Sequence, residues 1–389
     1  MQIETIGAAG GADVWAPVPP QVPPVGPPPL PPPPLPPLPP VRHGLVFTGR
    51  ASEFFGIWFV NLVLTVLTLG IYSAWAKVRT ERYFYGNTRV AGTPFEYLAK
   101  PLPILYGRLI AYAVVIALGL SWHFQLFVLW LPLAALVMLL LPWVVQRALR
   151  FRARYSAWRG LRFRFVDGVY ESYVAFLFRP LAQLFTFGLL MPWVRMGQHD
   201  YMVRGHRFGG LRFAFHGDLG AYYIPFLISI GLAFTAYLVM LLAVFAGALL
   251  GVAIGGDGAG KGPSDLAIAL MVAPIALVYL AFLAIPVYLR TKYTNLMWNA
   301  TSLGPHRFES SLRARDMIWI LASNGVLIVL SLGLAVPWAM VRLAKYRAAH
   351  MAVWVYGGLD SFGAERTQRE GAAGAELVDA LDMGMDIGL

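Results

Sequence analysis

The chain has 389 residues, 58% of them hydrophobic, a mean hydropathy of +0.61, a formal charge of +11 and no cysteine. So apolar a composition excludes an ordinary soluble domain, in which about half of the residues are apolar, and the lack of cysteine excludes disulfides and thiolate-ligated metals. The charge does not point to nucleic acid, because 24 of the 31 Lys and Arg fall in five connectors (76–103, 146–171, 195–220, 290–316 and 342–363) that follow apolar stretches. Basic clusters beside membrane ends are the positive-inside pattern, and they attract anionic lipid.

Residues 1–44 form a proline-rich arm. Proline lacks the amide donor that helices and sheets need, so 17–41 is expected to be an extended polyproline II spacer, with capture of a soluble SH3-like partner as the alternative. The first 45 residues lack the pattern of a secretory signal, so the first apolar segment is expected to direct insertion itself. Residues 45–363 read as one membrane domain built from five degenerate repeats, and 364–389 as an acidic, flexible tail that is a second place for a partner.

In each unit an apolar stretch closes at Trp or Pro, a run of Arg, Lys and Tyr follows, and Gly leads into an F-x-F-like strand: Phe95-Glu-Tyr97, Phe163-Arg-Phe165, Phe213-Ala-Phe215. Units two and four hold two stretches each, 103–122 with 124–145 and 222–254 with 266–288, all long enough for the ~20 residues a spanning helix needs. Units one, three and five hold one stretch each, basic at both ends and interrupted by Asn61, by Arg179-Pro180, or by Ser323-Asn324-Gly325. The expected fold is therefore an α-helical polytopic membrane protein with four transmembrane helices and three re-entrant or spanning segments. Short cytoplasmic β elements or irregular aromatic connectors would accommodate the F-x-F runs. With every basic connector cytoplasmic, both termini are cytoplasmic too.

Trp75, Arg79 and Tyr83 recur at the same spacing as Trp338, Arg342 and Tyr346, and Trp193 and Tyr201 keep the outer two positions while Gly197 replaces the Arg. Positions i, i+4 and i+8 share a helix face. With Trp143 these aromatics suit interfacial anchors, whereas several such faces converging would bind an anionic ligand or headgroup. Glu53, Glu171 and Asp316 precede the single stretches, where a carboxylate complements the helix dipole. Their functional reading is gating or ligand binding with Asn61, Arg79, Arg179, Asn324 and Arg342, since a charge at membrane depth is a site candidate.

Gly255 to Gly262 nearly matches a phosphate loop but lacks its hydroxyl and its preceding strand, so no nucleotide is expected there. The seven histidines show no metal-binding spacing, and neither paired membrane acids nor G-x-S-x-G occurs. No catalytic residue, metal or cofactor is assigned, and the chain is read as a non-enzyme.

The run Phe47-Thr-Gly49, Glu53, Asn61, Thr68-Leu-Gly-Ile-Tyr72, Trp75-Ala-Lys-Val-Arg79, Arg82-Tyr83, Asn87-Thr88, Gly92 and Phe95-Glu-Tyr97 resembles the signature of the YjgN-like family of bacterial inner-membrane proteins. Through weaker later copies the resemblance covers about residues 45–363. It implies a multi-span inner-membrane protein and supplies no substrate. The expected activity is binding or transport of a hydrophobic or anionic solute such as lipid, and the alternative is a membrane scaffold that recruits soluble partners.

Overall fold

The computed structural model describes residues 39–255 and 265–357. The proline-rich run up to residue 38, the glycine-rich stretch around Lys261 and the acidic tail lie outside the described residues.

Short strands and helical hairpins alternate. Strand β1 (Val41–Phe47) leads through helices α1 (Ala51–Leu67) and α2 (Ser73–Asn87) to β2 (Thr88–Val90). Strand β3 (Thr93–Tyr97) continues into α3 (Pro101–His123), α4 (Phe127–Arg154) and β4 (Ser156–Trp158). Next come β5 (Leu161–Phe165), α5 (Val169–Tyr173), a π-helical turn at Val174–Phe178, α6 (Arg179–Phe185), α7 (Met191–Gly205) and β6 (His206–Phe208). Strand β7 (Leu211–Phe215), α8 (Leu219–Gly255), α9 (Asp265–Asn299) and β8 (Thr301–Leu303) follow. The series ends with β9 (His306–Ser310), α10 (Ala314–Leu330), α11 (Val336–Ala349) and β10 (Met351–Val355).

The ten strands pair antiparallel in chain order, and β1 pairs with β10, so the sheet closes into a barrel. This corrects the expectation of a purely α-helical polytopic fold with β elements at most incidental. The sequence misleads because strands of three to seven residues are too short for periodicity to register, and their pairing depends on partners up to some 300 residues away.

Two-residue turns set the register. Val90 pairs with Thr93 around Ala91-Gly92, Trp158 with Leu161 around Arg159-Gly160, and Phe208 with Leu211 around Gly209-Gly210. Ala91 and Gly92 have φ of 48° and 78°, the left-handed pair that a type I′ hairpin demands. Because every tight turn sits at one rim, every helix leaves from the other. A bidentate pair from Arg42 to Glu309 (2.9 and 3.3 Å), with Trp354 donating to the same carboxylate at 2.8 Å, ties the closing strands together.

Below the helix rim, four helices among the described residues are long and apolar enough to cross a membrane: Pro101–His123, Phe127–Arg154, Leu219–Leu249 and Val272–Asn299. Almost none of their apolar windows is buried by protein, 0–6% in each, and an all-round apolar helix with no protein cover needs lipid. The remaining three stretches fold back as helix–turn–helix. They turn at Leu69-Gly70, Phe187-Gly188 and Leu332-Gly333, not at their polar interruptions as the sequence suggests. Each glycine N–H bonds the carbonyl five residues back (Thr65, Gln183 and Ile328), closing the helix with a left-handed cap. Leu69, Phe187 and Leu332 stand 94–99% exposed at these tips.

Candidate functional site

Alternation along the strands gives the F-x-F runs two tasks. The first residue of each, Phe95, Phe163 or Phe213, faces the barrel lumen with Leu45 and Phe308. The second, two residues on and one layer nearer the helices, packs between helix and strand: Phe165 on Tyr201 (5.4 Å between ring centroids), Phe215 with Tyr222 and Tyr293, and Tyr97 on Tyr85 (5.2 Å). The residue before each tight turn, Val90, Trp158, Phe208 or Leu303, is buried and plugs the far rim. Between the layers a cavity of about 170 Å³ remains, bordered also by Trp298, Met351, Val353 and Val355. An apolar hollow of this size accepts a benzene-sized group.

Beneath the barrel, the three short hairpins each hold a guanidinium in the same place. In α1–α2, Arg79 reaches Asn61 Oδ1 (3.5 Å) and the Tyr72 hydroxyl (3.2 Å), while Asn61 Nδ2 donates to Ala76 O at 3.4 Å. In α10–α11, Arg342 donates to Ser323 Oγ (2.7 Å) and Asn324 Oδ1 (3.0 Å), stacks on Trp338 at 5.0 Å, and Asn324 Nδ2 donates to Ala339 O at 3.3 Å. Between α6 and α7 the parts are exchanged. Arg179 stands on the first helix, its guanidinium occupies the space left by the missing side chain of Gly197, and it lies over Trp193 at 4.9 Å. The spacing is 18 residues in all three cases: 61 to 79, 179 to 197 and 324 to 342. That constant interval is the signal in the sequence that reveals the exchange, where the Trp-Arg-Tyr spacing alone shows only an arginine lost at Gly197.

The tyrosines face inward to the start of the preceding helix. The Tyr83 hydroxyl accepts from Arg50 N at 2.8 Å, lies 2.8 Å from Arg50 O and 3.3 Å from Glu53 Oε2. Tyr346 repeats this with Arg313 N (3.0 Å) and Asp316 Oδ2 (3.4 Å), and Tyr201 donates to Gly168 O at 3.2 Å. Glu53 and Asp316 therefore each meet the tyrosine of their own hairpin. Glu171 lines a cleft of about 420 Å³ with Arg179, Asp200, Tyr201 and Arg204. Trp143 lies on α4 under the Arg147 guanidinium (5.5 Å), and Trp75 stacks on Tyr72 (6.1 Å). The candidates meet within hairpins: Glu53 and Asp316 approach the tyrosine of their own hairpin, and Arg79 and Arg342 the asparagine of theirs.

Burial shapes the charges around the cleft. It pushes the Asp200 carboxyl up against the opposing pull of Arg204 and Arg179. Asp167 is raised by burial and by Glu171, with Arg212 and Arg207 pulling it down. His199, with Nδ1 2.7 Å from the Tyr222 hydroxyl, is pushed down to about 4 by burial and by Arg195. Neutral imidazole is therefore the form the fold holds at pH 7.

A family described as bacterial proteins of unknown function, DUF898, matches residues 42–380. The chain belongs to that family. It is 26% identical to the inner membrane protein YjgN of Salmonella typhimurium LT2 over 395 residues, covering 82% of this chain and 90% of the relative. It is 30% and 31% identical to the YjgN proteins of Escherichia coli O157:H7 and K12 over 123 residues, which cover 32% of this chain and 31% of each relative. No solved structure matches. The family matched and the named relatives agree with the YjgN-like signature from Phe47 to Tyr97, and the four apolar helices agree with an inner-membrane setting.

Proposed function

We propose that this protein binds an apolar chain or ring, of the kind carried by membrane lipids, inside the lumen of its barrel, without catalysing a reaction. The carrying observation is the hollow of about 170 Å³ walled by aromatic and aliphatic side chains of nearly every strand. A buried apolar surface that no side chain fills forfeits contacts, and an apolar ligand of matching size recovers them.

The proposal includes an orientation. The helix end lies in the inner membrane and the barrel, with its basic connectors and both chain ends, lies in the cytoplasm. What supports it is that Arg147, Arg204, Arg290 and Arg347 lie on the barrel-proximal parts of their helices, whereas the exposed tips are apolar.

Photolabelling of the purified protein with a diazirine-bearing long-chain fatty acid tests the lumen. Label is expected on peptides containing Phe95, Phe163, Phe213 or Phe308. It should fall several-fold in Leu303→Phe/Val353→Phe, which fills the hollow, and rise in Phe163→Ala, which enlarges it. Label confined to the spanning helices, and equal in all three proteins, would overturn the reading.

A further inference from the structure

Three arginines stand side by side on the outer wall of the barrel. Arg164 on β5 pairs with Arg207 on β6, and Arg207 pairs with Arg212 on β7. Their strand neighbours Phe163, Phe208, Leu211 and Phe213 belong to the lumen cluster, so alternation turns all three arginines away from it. Closure of the sheet and the Gly209-Gly210 turn leave them no other register.

Like charges directly opposite across antiparallel strands destabilise a sheet. Among the described residues little offsets this row. The Arg207 Nε is buried and has no hydrogen-bond partner. Asp167 feels Arg212 and Arg207 only through the field, and Asp200 is already paired with Arg204. Adjacent strands are about 4.8 Å apart, so the three guanidinium groups spread over about 10 Å. A carboxylate fills one arginine fork, whereas a phosphate presents enough oxygens to engage two or three planar forks at once.

We propose that Arg164, Arg207 and Arg212 form a binding site for a phosphate group on the outer barrel wall. The site is separate from the lumen, being on the opposite face of the same strands. Arg207 is two residues from the end of α7, close to the rim from which the helices leave, so the phosphate of a lipid headgroup and that of a soluble compound both have access.

The test uses the full-length protein in detergent at low salt, with two phosphate sources. One is inorganic phosphate; the other is dioleoyl phosphatidic acid in mixed micelles, with dioleoylglycerol as the control lacking phosphate. The unfolding temperature of the wild type is expected to rise with at least one source and not with dioleoylglycerol. A response to inorganic phosphate identifies a soluble ligand, and a response to phosphatidic acid alone identifies a headgroup. Arg207→Gln should weaken the effective source at least tenfold, and Arg207→Lys, which keeps the charge without the fork, should lie between. Without phosphate, Arg207→Gln should unfold no earlier than the wild type, since a repulsion has been removed. Failure of both sources to shift the wild type, equal binding by Arg207→Gln, or earlier unfolding of Arg207→Gln without phosphate would each overturn the site. Photolabelling of the lumen should be unchanged in Arg207→Gln, so the two readings fail separately.

Discussion

Exchanging residues 179 and 197 should convert the middle hairpin into a copy of the outer two. A Cβ added at Gly197 would fall on the Arg179 guanidinium and come within 2.9 Å of its Cδ, so Gly197→Ala must expel the arginine. Overpacking costs about 1–3 kcal/mol. Loss of the stacking on Trp193, 4.9 Å away, adds about 0.5–2 kcal/mol. Gly197→Arg alone should be worse, because two guanidinium groups then compete for one place. Arg179→Asn alone should lose the stacking and leave a void. The double variant Arg179→Asn/Gly197→Arg restores the arrangement of Asn61 with Arg79 and of Asn324 with Arg342, and should recover most of the loss. Equilibrium unfolding in mixed micelles, followed by circular dichroism, would give a coupling energy of about 2 kcal/mol, within the range of directly contacting pairs. Strict additivity of the two substitutions would refute the claim that the three hairpins share one guanidinium site.

Three further outcomes follow from the geometry. Ala91→Gly should raise stability by about 1 kcal/mol in thermal unfolding, since a non-glycine residue at φ 48° carries left-handed strain that glycine lacks. Gly205→Ala should lower it by about 1–3 kcal/mol, because the added methyl meets the Phe165 ring that seals β5 against α7. His199 has a folded pKa of about 4 against an ordinary 6.5, so its contribution to stability is complete above about pH 6.5 and is lost as pH falls toward 4, by about 3 kcal/mol. Stability measured from pH 7.5 to 4 should show this slope in the wild type and a shallower one in His199→Gln.

The helices were legible because lipid imposes a long, simple signal: 103–122 and 222–254 need only be apolar for long enough. The barrel was not, because no short strand contains its own partner. Phe163 and Phe165 announce a strand, yet nothing in their spacing says that β1 must return to β10. Of the site, the recurring Trp, Arg and Tyr were visible at fixed intervals, and so were Glu53, Glu171 and Asp316. Their contacts were not, because Tyr83 and Tyr346 look like interfacial aromatics until the fold turns their hydroxyls onto Arg50 and Arg313. The lumen was hidden most completely, since Val90, Trp158, Phe208 and Leu303 become one surface only after closure.

Closure is the claim on which the lumen depends, and the absence of native cysteine makes it directly testable. Gly44 on β1 stands opposite Ala352 on β10, and Gly44 has open space for a side chain. In membranes carrying Gly44→Cys/Ala352→Cys, mild oxidation should form an intramolecular disulfide that shifts monomer mobility, while Gly44→Cys/Ala99→Cys should form none. An equal yield in the two variants, or cross-linking only between molecules, would contradict the closed barrel and the lumen reading with it.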